Sequence, residues 1–598
     1  MEPEPRIGVY ICHCGVNIAA NVDVEQVAQF AATLPGVVVS RNYLYMCSDP
    51  GQGLIQQDIQ EHGLNRVVVA SCSPRMHEPT FRGAAQQVGM NPYLVEMANI
   101  REQCSWVHSN REQATEKAKA LVASTVAKAA QLEPLQEREV GVTPGAVVIG
   151  GGIAGMCAAL DVADAGFPVY LVEQSDRLGG RLKDLNRTFP TLELVADLLE
   201  PLIERVQNHP QVTIFLDSRV TGVEGYVGNF EVQVTPALTP DLSPPQPPRR
   251  RGGPSQPPPM GGGEGGGRGE VVQSTNIEVG SIIVATGYDV FDPHRKPELG
   301  YGQYANVITS LEMEQRLLEG RVGVDGRQPK RVAFIKCVGS RDVQIGNPYC
   351  SRVCCMVTAK QARLVRELLP ESDVTVFFMD VRTFGKGAEE FYDEARGKGV
   401  LYRRGSVSEI YRRGERVVLA GEDTLQGRPF EFEADLVVLA VGMEARSDVG
   451  ELSTLLKLPR SADGFFLELH PKLRPVDTAV NGVFLAGCCQ GPKDIVDTVA
   501  QAKAAAASAL IPLIRGTVPA ESATAVVEPE LCAGCGMCVE VCPFGAPALD
   551  PLWSVSRINY VLCKGCGTCA VTCPSKAIRL QHFTASQILA QVDALVEW

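Results

Sequence analysis

Eight cysteines close to the carboxyl end fall into two copies of one spacing, Cys-x2-Cys-x2-Cys-x3-Cys-Pro, over residues 532–543 and 563–574. Thiolates this close converge on one face of a cubane iron–sulfur cluster. In a doubled run each cluster takes three thiolates from its own run and the fourth from the other. Cys532, Cys535, Cys538 and Cys573 form one expected set, and Cys563, Cys566, Cys569 and Cys542 the other. The proline after each fourth cysteine turns the chain out of the loop. A zinc ribbon or a disulfide framework also uses cysteines, but neither calls for a duplicated run with both prolines. The chemistry read here is one-electron transfer through two [4Fe-4S] clusters.

A second constellation is Gly150-x-Gly152-x-x-Gly155, directly after strand AVVI and opening a helix. Gly150 makes the tight turn, Gly152 lets backbone approach a pyrophosphate, and Gly155 allows close helix–strand packing. The helix N-terminus supplies partial positive charge for the phosphates, and Glu173, ending the next strand, can accept from ribose hydroxyls. Gly179-Gly180-Arg181 follows at the spacing of glutathione-reductase-like flavoproteins. Ala285-Thr286-Gly287 and Leu485-Ala486-Gly487 resemble two of their cofactor-side strand ends. FAD is therefore expected rather than NAD, with Ala154, Val220 and Lys493 also placed on the cofactor. Those flavoproteins usually carry an Asp after the last glycine; here Cys488 and Cys489 follow it.

The strand VAFIK (332–336) opens a second nucleotide-fold unit, but no glycine fingerprint follows it. The loop carries Cys337, runs to Cys350 and enters a helix through Cys354 and Cys355. A phosphate needs backbone amides unobstructed by side chains, and this loop offers thiols. Two readings stand: a cluster on all four cysteines, or a redox dithiol. Lys360, further along that helix, either points toward the flavin as a catalytic group or is solvated. Cys12, Cys14, Cys47, Cys72 and Cys104 occupy the first domain. Cys12 and Cys72 end predicted strands, where side chains can meet at one sheet edge, so a further cluster competes with ordinary buried thiols. His13, His77 and His108 are possible substitute ligands.

Length and composition bound the rest. The chain has 598 residues, 45% apolar, with formal charge −13; this suits several soluble domains and argues against nucleic acid. The longest membrane-span candidate, 498–514, is Ala-rich and interrupted by Lys503 and Pro512. The start shows no basic leader or cleavage site. Twenty cysteines without such a leader suit a reducing cytoplasm, where they read as metal ligands before disulfides.

Periodicity predicts an N-terminal α/β domain (1–140) with strands Ile7–Cys12 and 67–70 and one long helix over 104–132. The expected FAD domain takes 141–330 and resumes at 447–515. Between its parts lie a Pro/Gly stretch (236–270), read as disordered, and the second nucleotide-fold unit (331–446). Arg249, Arg250 and Arg251 in the stretch are either a docking patch or a solvated linker. A two-cluster ferredoxin domain (516–580) and a C-terminal helix (581–598) follow. That helix has Ile588, Leu589, Val592, Leu595 and Val596 on one face, for docking on the body or on a neighbouring protein. The fold class is α/β, a thioredoxin-reductase-like two-dinucleotide-domain flavoprotein with domains added at both ends.

Together YICHCGVNIA, RVVVASCSPRMHEPTF, NPYLVEMANIREQCSWVH, VIGGGIAGMCAALDVADAG, KCVGSRD, YCSRVCCM and AGCCQGPKDI resemble the family of heterodisulfide reductase A-type subunits. The resemblance implies FAD, several cubane clusters and flavin-based electron bifurcation. It raises Cys337, Cys350, Cys354 and Cys355 to cluster ligands and supports a cluster in the first domain. Implied partners are ferredoxin, B- and C-type subunits of the complex, and an electron-input subunit, with the chain a dimer in the complex. Many members carry an inserted ferredoxin module where this chain has its Pro/Gly stretch. A non-bifurcating relay, as in class II benzoyl-coenzyme A reductase complexes, therefore stays open. So does a stand-alone NAD(P)H-dependent flavoprotein, although that needs the nucleotide loop missing after VAFIK.

Overall fold

The computed structural model describes residues 4–236, 274–323, 326–520 and 522–596. All but Pro236 of the Pro/Gly stretch, with Arg249, Arg250 and Arg251, lies outside the described residues. The chain divides into two compact units, Met1–Val140 with Pro519–Trp598, and Gly141–Val518.

The N-terminal half of the first unit is one parallel sheet of β1 (Ile7–Cys12), β2 (Val37–Tyr43), β3 (Arg66–Ser71) and β4 (Val95–Asn99), ordered β2-β1-β3-β4. Every residue of β1 is buried, as a central parallel strand with both faces covered requires. Helices α1 (Val24–Ala31), α2 (Asp49–His62), α3 (Pro74–Gln87) and α4 (Arg111–Ala129) complete this half. The expected helix over 104–132 is shorter than its apolar pattern suggested. Asn110 stops it by accepting the Gln113 N–H at 3.0 Å, an N-cap that satisfies one otherwise unpaired donor. Residues Arg101–Ser105 instead form one wide π-helical turn.

The second unit contains two nucleotide-type folds. The first is a five-stranded parallel sheet of β5 (Ala146–Ile149), β6 (Val169–Val172), β7 (Val212–Phe215), β8 (Ser281–Val284) and β14 (Val483–Leu485), the last strand returning from far along the chain. Its order is β14-β8-β5-β6-β7. Helix α5 (Ile153–Asp164) leaves the glycine loop and packs against α8 (Ile495–Arg515). The second fold is a seven-stranded sheet. Its parallel part includes β9 (Val307–Thr309), β10 (Arg331–Val338), β11 (Asp373–Phe378), β12 (Val400–Arg413) and β13 (Leu436–Val441), with helices α6 (Ser310–Leu318) and α7 (Cys354–Leu368). Strand β10 is buried along seven of its eight residues.

The carboxyl-terminal part of the first unit carries two short helical turns, Met537–Glu540 and Thr568–Thr572, packed together, and two small antiparallel strand pairs. The duplication extends to the backbone: Gly534 and Gly565 take φ +64° and +63°, and a Cβ on either would meet a carbonyl oxygen at 2.2 or 2.6 Å. Within this unit, His582 Nε2 donates to the Glu133 carbonyl at 2.9 Å, and helix α9 (Ala585–Val596) packs on α4. The contact is polar: buried Gln587 donates to the Gln131 carbonyl at 2.9 Å. The apolar face expected to dock stays largely open, Leu589 at 59% and Val596 at 79% exposure.

The tightest constraint in the glycine loop is at Gly155, where a Cβ would lie 1.8 Å from the Gly150 carbonyl oxygen. Backbone cannot yield as a side-chain tip can. Gly155→Ala is expected to cost about 1–3 kcal/mol or more, read as a lower thermal midpoint and less than stoichiometric flavin after purification.

Candidate functional site

A cavity of about 880 Å³ runs from the glycine loop to helix α7, wholly within the second unit. Its walls include Gly150, Gly152, Ala154, Glu173, Gly180, Arg181, Val220, Thr286, Gly287 and Lys493. Gly155, Gly179 and Gly487 are not on that wall. Gly155 packs against the loop, and Gly487 holds φ +74°, where a Cβ would meet the Ala154 and Thr498 side chains at 2.8 and 3.1 Å. A Cβ on Gly152, the N-cap of α5, would meet nothing nearer than 3.8 Å, so the backbone there is bare toward the cavity. That is the cradle a pyrophosphate needs at a helix N-terminus. Glu173 is buried and already accepts from the Gly151 N–H at 2.6 Å and from the Ser175 N–H and hydroxyl at 2.8 and 2.6 Å. A carboxylate has about four acceptor sites, so one remains for a ribose hydroxyl. Cys488, which follows Gly487, lines the cavity and its thiol is pushed up by burial.

The far wall belongs to the second nucleotide fold. Cys354, the first residue of α7, lines the cavity beside Val353, Val357 and Lys360. The thiols of Cys337, Cys354 and Cys355 are hydrogen-bonded together, with Cys354 between the other two. Cys354 is pushed well up by those two bonds, whereas Cys355 is pulled down to about 5, chiefly by the bond from Cys354. The Arg382 N–H adds a 3.4 Å bond to the Cys355 sulfur. Cys350 stands in the same loop with the Arg352 N–H 3.3 Å from its sulfur. Cys337, Arg341 and Arg352 all take φ near +60°, a conformation costing about 1–2 kcal/mol for a residue with a Cβ. The loop bears that strain in holding its sulfurs inward. N–H groups aimed at clustered sulfurs fit thiolate ligands of an iron–sulfur cluster. Nothing comparable to the bare backbone at Gly152 remains here for a phosphate.

In the first unit, β1 and β3 are neighbouring parallel strands, so Cys12 and Cys72 emerge at one sheet edge. Cys12 receives the Cys14 and Met46 N–H groups at 3.3 and 3.5 Å. Cys14 and Cys47 act electrostatically on Cys12, and Cys14 on Cys72. Cys104 does not belong to this group. It is a buried core thiol donating to the Ala114 carbonyl at 3.0 Å, with Lys117 as its charged neighbour. His108 is likewise occupied by the Cys104 carbonyl at 2.9 Å. In the C-terminal part, Cys542, Cys563, Cys566 and Cys569 line one small cavity together, the set that takes its fourth member from the other run. Cys532 and Cys538 both meet Ser556, at 3.3 and 3.2 Å.

Residues 144–509 match the pyridine nucleotide-disulphide oxidoreductase family and residues 530–583 the 4Fe-4S dicluster domain. A thioredoxin reductase of Lactococcus lactis is similar at 16% identity and TM-score 0.40, covering 62% of this chain and 100% of that one. The A-type subunit of the H(2):CoB-CoM heterodisulfide,ferredoxin reductase of Methanothermobacter thermautotrophicus is 47% identical, covering 99% of this chain and 97% of the relative. The second A-type iron-sulfur subunit of the CoB--CoM heterodisulfide reductase of Methanopyrus kandleri is 49% identical over 91% of each. The chain belongs to the family of heterodisulfide reductase A-type subunits. It is an oxidoreductase subunit of the FAD and iron–sulfur type. The Methanothermobacter alignment spans 643 positions against 598 residues here, so that family member carries segments this chain lacks.

Lys360 stands on the cavity wall. It is not solvated: it is 1% exposed, 2.7 Å from Glu314 Oε1, and donates to the Arg187 carbonyl at 2.7 Å. Burial pulls its pKa down. Glu314, fully buried, also accepts from Gln361 Nε2 at 2.6 Å and the Asn186 N–H at 2.9 Å. Sequence reasoning missed Glu314 because an acid in an amphipathic helix reads as exposed; only its fold partner on α7 reveals it. Glu314→Leu alone leaves a buried, unpaired ammonium and is expected to destabilise by about 3–5 kcal/mol. Glu314→Leu with Lys360→Met recovers only the part due to the ammonium, because the Asn186 and Gln361 donors stay unmatched, as read by chemical denaturation of the flavin-loaded protein.

Proposed function

We propose that this chain is the electron-bifurcating subunit of a cytoplasmic heterodisulfide-reductase-like complex. It would take electron pairs from an input subunit, dividing them between ferredoxin and a B- and C-type disulfide-reducing pair. The observation that carries this reading is the wall shared by the flavin cavity and the thiols of the second nucleotide fold, with Cys354 on it. A flavin exchanges two electrons or one, a cubane cluster one, and the protein's share is to place them and set their potentials.

In this reading the Gly150–Gly155 loop and the start of α5 hold the FAD pyrophosphate, and Glu173 the ribose. Cys337, Cys350, Cys354 and Cys355 hold a cluster beside the flavin. Lys360, paired with Glu314, faces the same cavity. Cys12, Cys14, Cys47 and Cys72 hold a further cluster, and the two C-terminal sets hold one each. Relatives named for both heterodisulfide and ferredoxin support two acceptors, and no helix among the described residues is long and apolar enough to cross a membrane. The shorter chain favours one competing reading, a relay that has lost an exit route and passes electrons to a single acceptor.

The complex, purified without oxygen, distinguishes them. Ferredoxin reduction is expected only while disulfide is reduced, one electron to each branch, and NADH alone should not bleach the flavin of the isolated chain. Ferredoxin reduced steadily without disulfide, or flavin bleached by NADH, contradicts the reading.

A further inference from the structure

The wide turn Arg101–Ser105 follows β4 and carries a guanidinium into the N-terminal thiol group. Arg101 Nη1 lies 3.4 Å from the Cys14 sulfur, and its side chain is only 12% exposed. Nε and Nη2 bond the Glu102 carboxylate at 3.2 and 2.6 Å, Nη2 also meets the Met76 sulfur at 2.9 Å, and the guanidinium covers the Trp106 ring at 4.9 Å. The backbone fixes this placement: the Glu102 N–H bonds the Asn99 side chain at 3.0 Å, and the Ile100 N–H bonds the Ser71 carbonyl, next to Cys72, at 2.9 Å. Single π-helical turns are rare and occur frequently at functional sites. Nothing in the spacing of the sequence marks this arginine.

We propose that Arg101 is a positioning residue that raises the reduction potential of the cluster held by Cys12, Cys14, Cys47 and Cys72. This rests on those four cysteines holding a cluster, as in the proposed function. Four thiolates outweigh the charge of an iron–sulfide core, so the cluster is an anion that gains one further negative charge on reduction. A cation bonded to a ligand sulfur therefore favours the reduced form. Glu102 opposes this only in part, because it occupies the Nε–Nη2 edge while Nη1 faces the sulfur. The other donors to this group's Cys12 sulfur are neutral backbone N–H groups. Cys47 and Cys72 also feel the arginine's charge.

Anaerobic redox titration of the holoprotein, followed by electron paramagnetic resonance, tests this, with Cys72→Ala identifying the signal. That variant should lose one cluster signal and about four irons per chain, whereas Cys104→Ala should lose none. Arg101→Gln should keep its iron but lower the reduced-to-oxidised ratio of that signal about tenfold at fixed ambient potential, equivalent to about 59 mV for one electron. Arg101→Lys should recover much of the shift. Glu102→Gln should move the signal the opposite way. Iron-replete Arg101→Gln with unchanged titration overturns the proposal. If Arg101→Gln sheds iron, an unshifted Glu102→Gln overturns it instead. Cys72→Ala with full iron and all signals overturns the underlying cluster assignment.

Discussion

A pyrophosphate and a set of thiolates cannot occupy the same strand end. Phosphate binding needs backbone N–H groups that no side chain screens, and cluster binding needs sulfurs turned inward. This chain has a strand end of each form, open backbone in one nucleotide fold and gathered thiols in the other. After β5, Gly150 makes the tight turn against Ala285 and Gly152 leaves the backbone bare; after β10, Cys337 turns into the left-handed region and meets Cys354 and Cys355. A fold that binds a two-electron carrier in other proteins thereby presents sulfur to the flavin cavity. The rest of the second unit depends on that exchange.

Two parallel sheets and the parallel part of a third do the same positional work. In each, side chains or loops with chemical roles leave the carboxyl ends of adjacent strands, where parallel α/β folds place their ligands. Cys12 and Cys72 follow β1 and β3, the glycine loop follows β5, and Cys337 closes β10. Paired basic and acidic side chains then stand beside those ends. Lys360 is locked by Glu314 and Arg101 by Glu102. Each pairing holds its basic side chain in place.

The glycine loop and the eight C-terminal cysteines were legible because their spacing along the chain is itself the requirement. A turn, a close approach and a ligand fork are local. The four-cysteine loop after β10 was legible as an absence, a missing fingerprint in a place that the preceding strand marked. What sequence hid was three-dimensional. Cys104 looks like its four neighbours until the π-turn and the Asn110 cap send it into the core, and nothing along the chain pairs Lys360 with Glu314. The C-terminal helix was legible only in part. Its apolar face stands out in the sequence, yet its buried contact is made by Gln587.

Whether iron takes the place of nicotinamide beside the flavin is open to direct measurement, by an anomalous difference map at the iron edge from crystals of the anaerobically purified chain. A four-iron peak bounded by Cys337, Cys350, Cys354 and Cys355 is expected, with flavin density in the adjoining cavity. Pyridine nucleotide in density against that loop, with no iron peak, would contradict it.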